Sequence, residues 1–357
     1  MPEGLFTLRL LICGDAHLAI RVATFTGGEN VPSARYRIRQ HRSALALAGI
    51  EIEEAGQSTT AYPPPGTLAR AWWASRRLAR ISANLLALRN CDCSFIQREF
   101  ISKYRTLERL TPGSRIFDVD DAIHLLRGGT AARALARMSD RVIVGNAYLA
   151  DWYSQWNANV TVIPTAVDHY RYHPEPALRA DDTEMRIGWI GTSDNHWHLH
   201  HVDLALSFYF EKFPRHRLFV VSDRAPALKH VNPLNLQFQP WSAETDVADI
   251  NRMHIGIMPL VDTEWTRGKC SFKMLQYMSC GVPVVASPVG TNNEVFALGN
   301  VGFSASDANG WVSALEALAL SNSLREKAGS SGRSVIERYF SAEIIAADIA
   351  RQIKALF

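Results

Sequence analysis

The stretch Arg267–Gly290, RGKCSFKMLQYMSCGVPVVASPVG, reads as a loop, a helix, a tight turn and a strand in sequence. Two cations, Arg267 and Lys269, flank Gly268. The segment SFKMLQYMSC is amphipathic at helical spacing. Cys280-Gly281 marks the turn, and VPVVAS is apolar enough to be buried on both faces. Positive charge and free backbone N–H groups at a helix start suit an anion such as a diphosphate.

Outward from this stretch the same alternation recurs. Downstream, amphipathic segments cover Asn293 to Leu298, Trp311 to Leu320, Leu324 to Tyr339 and SAEIIAADIARQIKALF. Upstream, HIGIMPL, RLFVVS and MRIGWI are buried-type strands, and MRIGWI runs into the loop Gly191-Thr192-Ser193-Asp194. Before it, HYRYHPEPALRADDTE is polar and proline-containing, which marks a linker. Earlier still come strands at VTVIP, RVIVG, RIFDV, CSFIQ and IEIE, with a first strand expected at Leu8–Cys13 (LRLLIC). Gly27-Gly28 and Pro32-Ser33 then introduce one helix, SARYRIRQHRSALALAGI, stopped by Gly49. The pattern predicts two successive doubly wound α/β units facing across a cleft, with ligands at the strand C-termini. The expected division is residues 1–170, a linker at 171–184, a second unit at 185–340, and a closing helix at 341–357 that packs back on the first unit.

The bulk numbers agree. A chain of 357 residues exceeds one ordinary core. With 47% apolar and 20% charged residues it is of the globular class. A net charge of +3 argues against a nucleic-acid partner. Five scattered cysteines (Cys13, Cys91, Cys93, Cys270, Cys280) form no zinc spacing and fit a reducing, cytoplasmic setting. LFTLRLLICG lacks the flanks of a signal peptide, and no run reaches the ~18 apolar residues of a spanning helix.

Several groups invite chemistry. Asp118, Asp120 and Asp121 crowd the end of the RIFDV strand, a costly cluster unless something neutralises it. Two adjacent aspartates could bind Mg²⁺, one could act as a base, or either could cap the following helix. Of Arg35, Arg37 and Arg39, Arg35 lies nearest the glycine loop and is the candidate to face an anion; the alternative is a solvated basic face. TLARAWWASRRLARISANLLALR is a basic helix in which Leu68, Trp72, Leu78, Ile81, Leu85 and Leu88 recur near helical spacing. It suits either an ordinary domain helix or a peripheral contact of residues 67–89 with an anionic membrane. His196, His198, His200 and His201 read as a solvated helix face rather than a metal site.

VDTEWTRGKCSFKMLQYMSCGVPVVASPVGTNNEV resembles the nucleotide-sugar-binding segment of retaining GT-B glycosyltransferases of family four. MRIGWIGTSD resembles the start of that family's second domain. SARYRIRQH, FIQREF, RIFDVDDAIHL, VIVGNAYLADWY and VTVIPTAVD resemble its first domain, in the expected order. The bacterial members that build surface polysaccharide or lipopolysaccharide are the most similar in kind.

The resemblance implies a nucleotide-diphosphate sugar as donor substrate, a saccharide or lipid-linked acceptor, retention of configuration, and no cofactor or metal. It also implies substrate-binding positions at Arg267, Gly268, Cys270, Ser271, Phe272, Lys273 and Gln276, joined by Gly191 and Thr192. From the first domain it implies Arg35, Arg98, Glu99 and Asn146. Asp120, Asp121 and Lys269 are the expected catalytic groups.

The chain departs from the family pattern at several points. Gly268 and Gln276 stand where the family carries two glutamates. An amide at Gln276 can still bond ribose hydroxyls, and backbone N–H groups after Gly268 would take over the sugar. The cation expected after Gly191 is missing, with Arg267 and Lys269 as replacements. Asp120 stands where many members have a histidine. These departures leave open a degenerate protein that binds a nucleotide sugar or a partner without transfer. A sugar-nucleotide epimerase or a phosphorylase is a further alternative; a dehydrogenase is disfavoured, because no G-x-G-x-x-G follows either opening strand.

Overall fold

The computed structural model describes residues 19–28, 31–56, 63–179 and 182–357. The strand expected at Leu8–Cys13 lies outside the described residues. The strand that feeds the Gly27-Gly28 loop is β1, Ile20–Phe25, a segment read from sequence as mere connection.

In the first half, β1 is followed by α1 (Pro32–Arg37), α2 (Arg42–Leu47), β2 (Ile50–Glu54), α3 (Thr67–Ala87), β3 (Cys93–Gln97) and β4 (Ser114–Val119). Then come α4 (Thr130–Met138), β5 (Arg141–Val144), α5 (Ala147–Tyr153) and β6 (Val160–Val162). The six strands pair in parallel in the order β2-β1-β3-β4-β5-β6. Parallel strands need helical crossovers, which cover both faces and explain the unbroken apolar runs.

The single helix expected after Pro32 is two, separated by a 3₁₀ turn at Arg39–His41. The Gln40 side-chain amide takes the Tyr36 carbonyl and also donates to Ala166 O at 3.0 Å. The carbonyl that would continue the helix is thus occupied, and Ile38 leaves helical geometry (φ −126°). Gly49, at φ +78°, ends α2 where a side chain would be strained. The helical patch expected before Leu110 is only a 3₁₀ turn, Glu108–Leu110.

The second half restarts the pattern with β7 (Arg186–Ile190), α6 (His196–Lys212), β8 (Arg217–Ser222), β9 (Leu236–Pro240), α7 (Asp246–Asn251) and β10 (Ile255–Met258). There follow α8 (Glu264–Arg267), α9 (Phe272–Ser279), β11 (Val284–Ala286), α10 (Thr291–Leu298), β12 (Gly302–Ser304), α11 (Ala308–Leu320), α12 (Asn322–Val335) and α13 (Ala342–Lys354). Its sheet is also six-stranded and parallel, ordered β12-β11-β10-β7-β8-β9. The two sheets are two doubly wound units.

The chain then crosses back. Ile345, Ile349 and Ile353 of α13 are buried with Val22, Ile116 and Ile143 of the first sheet. Arg141 reaches Gln352 Oε1 at 3.0 Å and the Ala355 carbonyl at 3.2 Å. The polar stretch read as a linker begins pinned: Tyr172 is buried with its hydroxyl donating to Asp246 at 2.7 Å. Arg333 donates to the carbonyls of His169, Tyr172 and Ser279 at 2.8–2.9 Å.

The basic helix α3 divides its apolar residues between two faces. Trp73, Ile81, Leu85 and Leu88 are buried. Leu68, Trp72, Leu78 and Leu86 are exposed.

Candidate functional site

The carboxyl ends of the two sheets meet, and α9 supplies the second rim. Its position is set by packing: Met274, Leu275, Tyr277 and Met278 are fully buried. The Tyr277 hydroxyl accepts from Ile190 N at 3.0 Å and donates to Ile257 O at 3.3 Å. Gly281, at φ +65°, makes the turn into β11. Ser271 precedes α9 in the left-handed region (φ +53°), and its hydroxyl donates to Asn292 at 2.6 Å. Strain of this kind on a non-glycine residue persists only where the surroundings enforce it.

Four contacts close the rims on one another. The thiol of Cys270 donates to Asp120 O at 3.2 Å. A Cβ on Gly268 would lie 2.8 Å from that of Ala122, so only glycine fits where the resemblance expects an acid. Asn146 is fully buried and bonds the carbonyls of Arg267 and Lys269 at 3.1 and 3.2 Å, while its own carbonyl caps α5 through Leu149 N. The rings of Tyr36 and Phe272 lie 4.0 Å apart. Asn146, Cys270 and Phe272, expected at the substrate, make contacts that join the two rims, whereas Ser271 bonds within its own rim to Asn292.

On the first rim the carboxylate cluster separates into two systems. Asp118 is fully buried and held by Arg37, whose Nη2 lies 2.5 Å from Oδ1. Burial raises the Asp118 pKa against the opposing pull of Arg37. Arg37 also donates to Ile163 O at 3.1 Å. Arg35, the arginine expected at the ligand, instead sits with its guanidinium 5.1 Å over the Tyr36 ring. Two positions on, the chain has turned inward, so Arg37 is the arginine at the strand edge.

Asp120 and Asp121 share Arg98, at 2.9 and 2.5 Å. Burial works to raise Asp120, but the charges of Arg98 and Arg37 and a hydrogen bond from Ser33 outweigh it and hold the carboxyl below its ordinary value. Arg98 itself is in the left-handed region, φ +59°. Neither aspartate caps the turn at Ile123; their side chains go to Arg98 instead. Glu99, also expected at the substrate, is 8% exposed and its pKa is raised by burial.

The second rim is cationic. Lys273 lies across the end of β7: a Cβ on Gly191 would be 2.5 Å from its Cε, and Nζ is 5.4 Å from the Trp189 ring centre. Burial and the charge of Lys269 pull Lys273 down to about 7, with Asp121 opposing. Among the described residues neither lysine forms an ion pair. The first amides of α9, at Phe272 and Lys273, are likewise unbonded among the described residues.

The other expected donor groups are engaged elsewhere. Arg267, the diphosphate cation anticipated, already has a counter-ion: it pairs with Asp262 at 2.7 Å on the exposed side of α8. Of the amides after Gly268, expected to hold the sugar, that of Lys269 bonds back to the Thr266 carbonyl at 3.1 Å. Gln276 is 6% exposed and donates to the Tyr172 hydroxyl at 3.1 Å. Thr192 is exposed and accepts from Asn195 at 2.9 Å.

The histidines of α6 are not one solvated face. His200 and His201 are exposed, whereas His196 and His198 are 9% and 2% exposed. Arg37 and His198 were each read as part of a solvated face, and Tyr36 and Tyr172 were not singled out, yet all four are engaged at or beside the cleft. Each depends on a partner far along the chain, and no local pattern announces such a pairing. Among the described residues no group of three or more His, Cys, Asp or Glu side chains is placed to hold a metal ion.

Comparison with known proteins places this geometry. Residues 186–321 match the family model described as "Glycosyl transferases group 1". The fold is similar to sucrose-phosphate synthase from Thermosynechococcus elongatus, at TM-score 0.72 and 15% identity over 94% of this chain and 99% of that one. It is similar to HepE of Anabaena in complex with UDP and glucose, at TM-score 0.65 and 14% identity over 94% and 100%. It is also similar to WaaG, a glycosyltransferase involved in lipopolysaccharide biosynthesis, at TM-score 0.65 and 13% identity over 92% and 99%. The architecture is that of GT-B glycosyltransferases. A comparison with curated protein sequences finds no match.

Proposed function

We propose that this chain is a glycosyltransferase that moves a sugar from a nucleotide-diphosphate sugar to a saccharide or lipid-linked acceptor, with retention of configuration and without a metal. The observation that carries the reading is the pair Lys269 and Lys273. Neither lysine forms an ion pair among the described residues, and they lie beside the unbonded amides of α9 on the rim opposite Asp120 and Asp121. When the bond from the anomeric carbon to the β-phosphate breaks, its electron pair stays on the phosphate oxygen. The two ammoniums and the helix start stabilise that charge. The acceptor oxygen bonds to the same carbon on the face being vacated, and its proton passes to the departing phosphate. Asp120, held ionised by Arg98, stabilises the positive character of the sugar. The match at residues 186–321 and the GT-B fold support the reaction class.

The test is thermal-shift screening with UDP-, GDP-, ADP- and dTDP-sugars, followed by release of nucleoside diphosphate in EDTA. Specific binding stabilises the fold by mass action. Stabilisation by one donor, loss of that shift in Lys269→Ala with an unchanged melting temperature, and EDTA-resistant turnover are expected. No shift with any donor would instead favour a protein that does not transfer sugar.

The outer face of α3 suits a peripheral contact with an anionic membrane, where a lipid-linked acceptor resides. Its exposed Leu68, Trp72 and Leu86 are accompanied by Arg76 and Arg80, and the helix contains no acidic residue. Among the described residues no helix is long and apolar enough to cross a membrane. Co-sedimentation with vesicles containing phosphatidylglycerol should fall when Arg76 and Arg80 are replaced by Gln; equal sedimentation removes the contact.

A further inference from the structure

α6 starts at the carboxyl edge of β7, and its first turn carries His196, Trp197 and His198. His196 has a partner, with Nε2 3.0 Å from the Ser222 hydroxyl. His198 differs. Its Nδ1 accepts from the Val261 N–H at 3.4 Å. A ring that accepts at Nδ1 and is neutral carries its proton on Nε2. That nitrogen is buried and has no hydrogen-bond partner. A buried N–H donor without an acceptor is rare in native proteins and asks for an explanation.

The surroundings supply one. The charges that act on His198 come from Lys273 on α9, Lys269 in the loop before it, and His201 on its own helix. No acid is among them. Burial first, and then these cations, press the ring down to about 3, so it stays neutral and remains a donor at any working pH. An N–H donor and two lysines without an ion pair among the described residues thus lie together at the edge where the carboxyl ends of the strands gather. Nothing among the described residues accepts from any of the three. This is the pattern of an anion site seen from its donor side.

We propose that His198 is a third diphosphate ligand, donating its Nε2 proton to a non-bridging phosphate oxygen that Lys269 and Lys273 also approach. The inference rests on the nucleotide-sugar reading of this edge and names a residue that reading did not use. Because the ring is neutral, its contribution is directional rather than coulombic. It orients the phosphate while the lysines supply charge. A side chain that keeps a donor at this depth should therefore retain most of the effect, whereas an apolar one of similar volume should lose it.

The experiment titrates wild type, His198→Gln and His198→Met with inorganic pyrophosphate. It repeats the titration with whichever of UDP, GDP, ADP and dTDP binds wild type, and with the corresponding nucleoside. His198→Met is expected to weaken pyrophosphate and nucleoside diphosphate about 10-fold, the worth of one hydrogen bond. His198→Gln should stay within about 3-fold, and the nucleoside should bind all three alike. Unchanged diphosphate affinity in a folded His198→Met chain overturns the proposal, as does an equal loss for nucleoside and diphosphate, which marks a packing role. If His198→Met does not fold, the ¹⁵N resonance of His198 Nε2 in wild type decides: it should move on adding pyrophosphate, and a stationary signal is a refutation. Failure of wild type to bind any nucleoside diphosphate refutes the parent reading as well, and is distinct from loss in the variant alone.

Discussion

The two rims of the cleft carry opposite charges in opposite states of compensation. On the first-domain rim every carboxylate of the cluster has its cation: Asp118 has Arg37, and Asp120 and Asp121 share Arg98. On the second-domain rim Lys269 and Lys273 form no ion pair among the described residues, and a buried histidine beside them has a free donor. The compensated rim holds the fold and presents a fixed, ionised Asp120. The uncompensated rim bears a cost in the empty protein that an incoming anion would relieve. Burial of unneutralised charge is unfavourable to folding, so its persistence here points to binding.

The strongest challenge to this contrast is at Arg37. Arg37→Ala leaves Asp118 buried and unpaired, and should destabilise the chain by about 3–5 kcal/mol in urea unfolding. The double variant Arg37→Met/Asp118→Leu should recover much of that loss, because it removes both charges together. A cost in Arg37→Ala similar to that of a surface ion pair would erase the distinction between the rims.

Asp120→Asn tests the less deeply buried part of the same rim. Turnover should fall about 100-fold with donor affinity little changed, since the charge acts on the reacting sugar. Wild-type turnover in the folded variant would remove Asp120 from the chemistry.

Lys273→Met sharpens the contrast from the other side. It should raise thermal stability, since a half-buried amine without an ion pair is removed, and weaken donor binding by about 10-fold or more. A variant that loses stability and keeps affinity would place Lys273 with the structural cations.

The pH dependence gives a smaller effect with a definite sign. Burial and Lys269 lower Lys273 to about 7 in the folded chain, against about 10.4 in the unfolded chain. Between those values the unfolded chain binds more protons, so Lys273 makes the empty protein more stable as pH rises through that window. Bound diphosphate favours the ammonium, so donor binding takes up a proton and weakens as pH rises above about 7. Calorimetry in two buffers of different ionisation enthalpy reads the uptake; none at pH 8 would detach Lys273 from the donor.

The smallest effect is expected at Arg267→Gln. Its guanidinium is exposed and already paired with Asp262, so donor affinity should stay within about 2-fold.

Much of the architecture was legible in the order of residues. Alternating apolar runs and amphipathic segments gave two successive β/α units, and Cys280-Gly281 marked its turn because only a residue free at positive φ makes it easily. The Asp118–Asp121 cluster stood out because three carboxylates at a strand end require compensation. Which arginines provide it did not stand out. Arg35, Arg37 and Arg39 alternate identically in sequence, and the one that matters is chosen by a pairing across 81 positions. Arg267, Lys269 and Lys273 look equally suited to a phosphate until Asp262 is seen to claim the first.

The stretch Arg267–Gly290 shows where the division falls. By itself the sequence determined its loop, helix, turn and buried strand, because propensity and periodicity act over a few neighbours. Tertiary structure alone decided that Gly268 is glycine to admit Ala122, that Asn146 and Cys270 join the rims, and that the charges of Lys269 and Lys273 act on His198. Steric fit, desolvation and charge pairing depend on distance in space, and the elements that bring these groups together lie far apart along the chain.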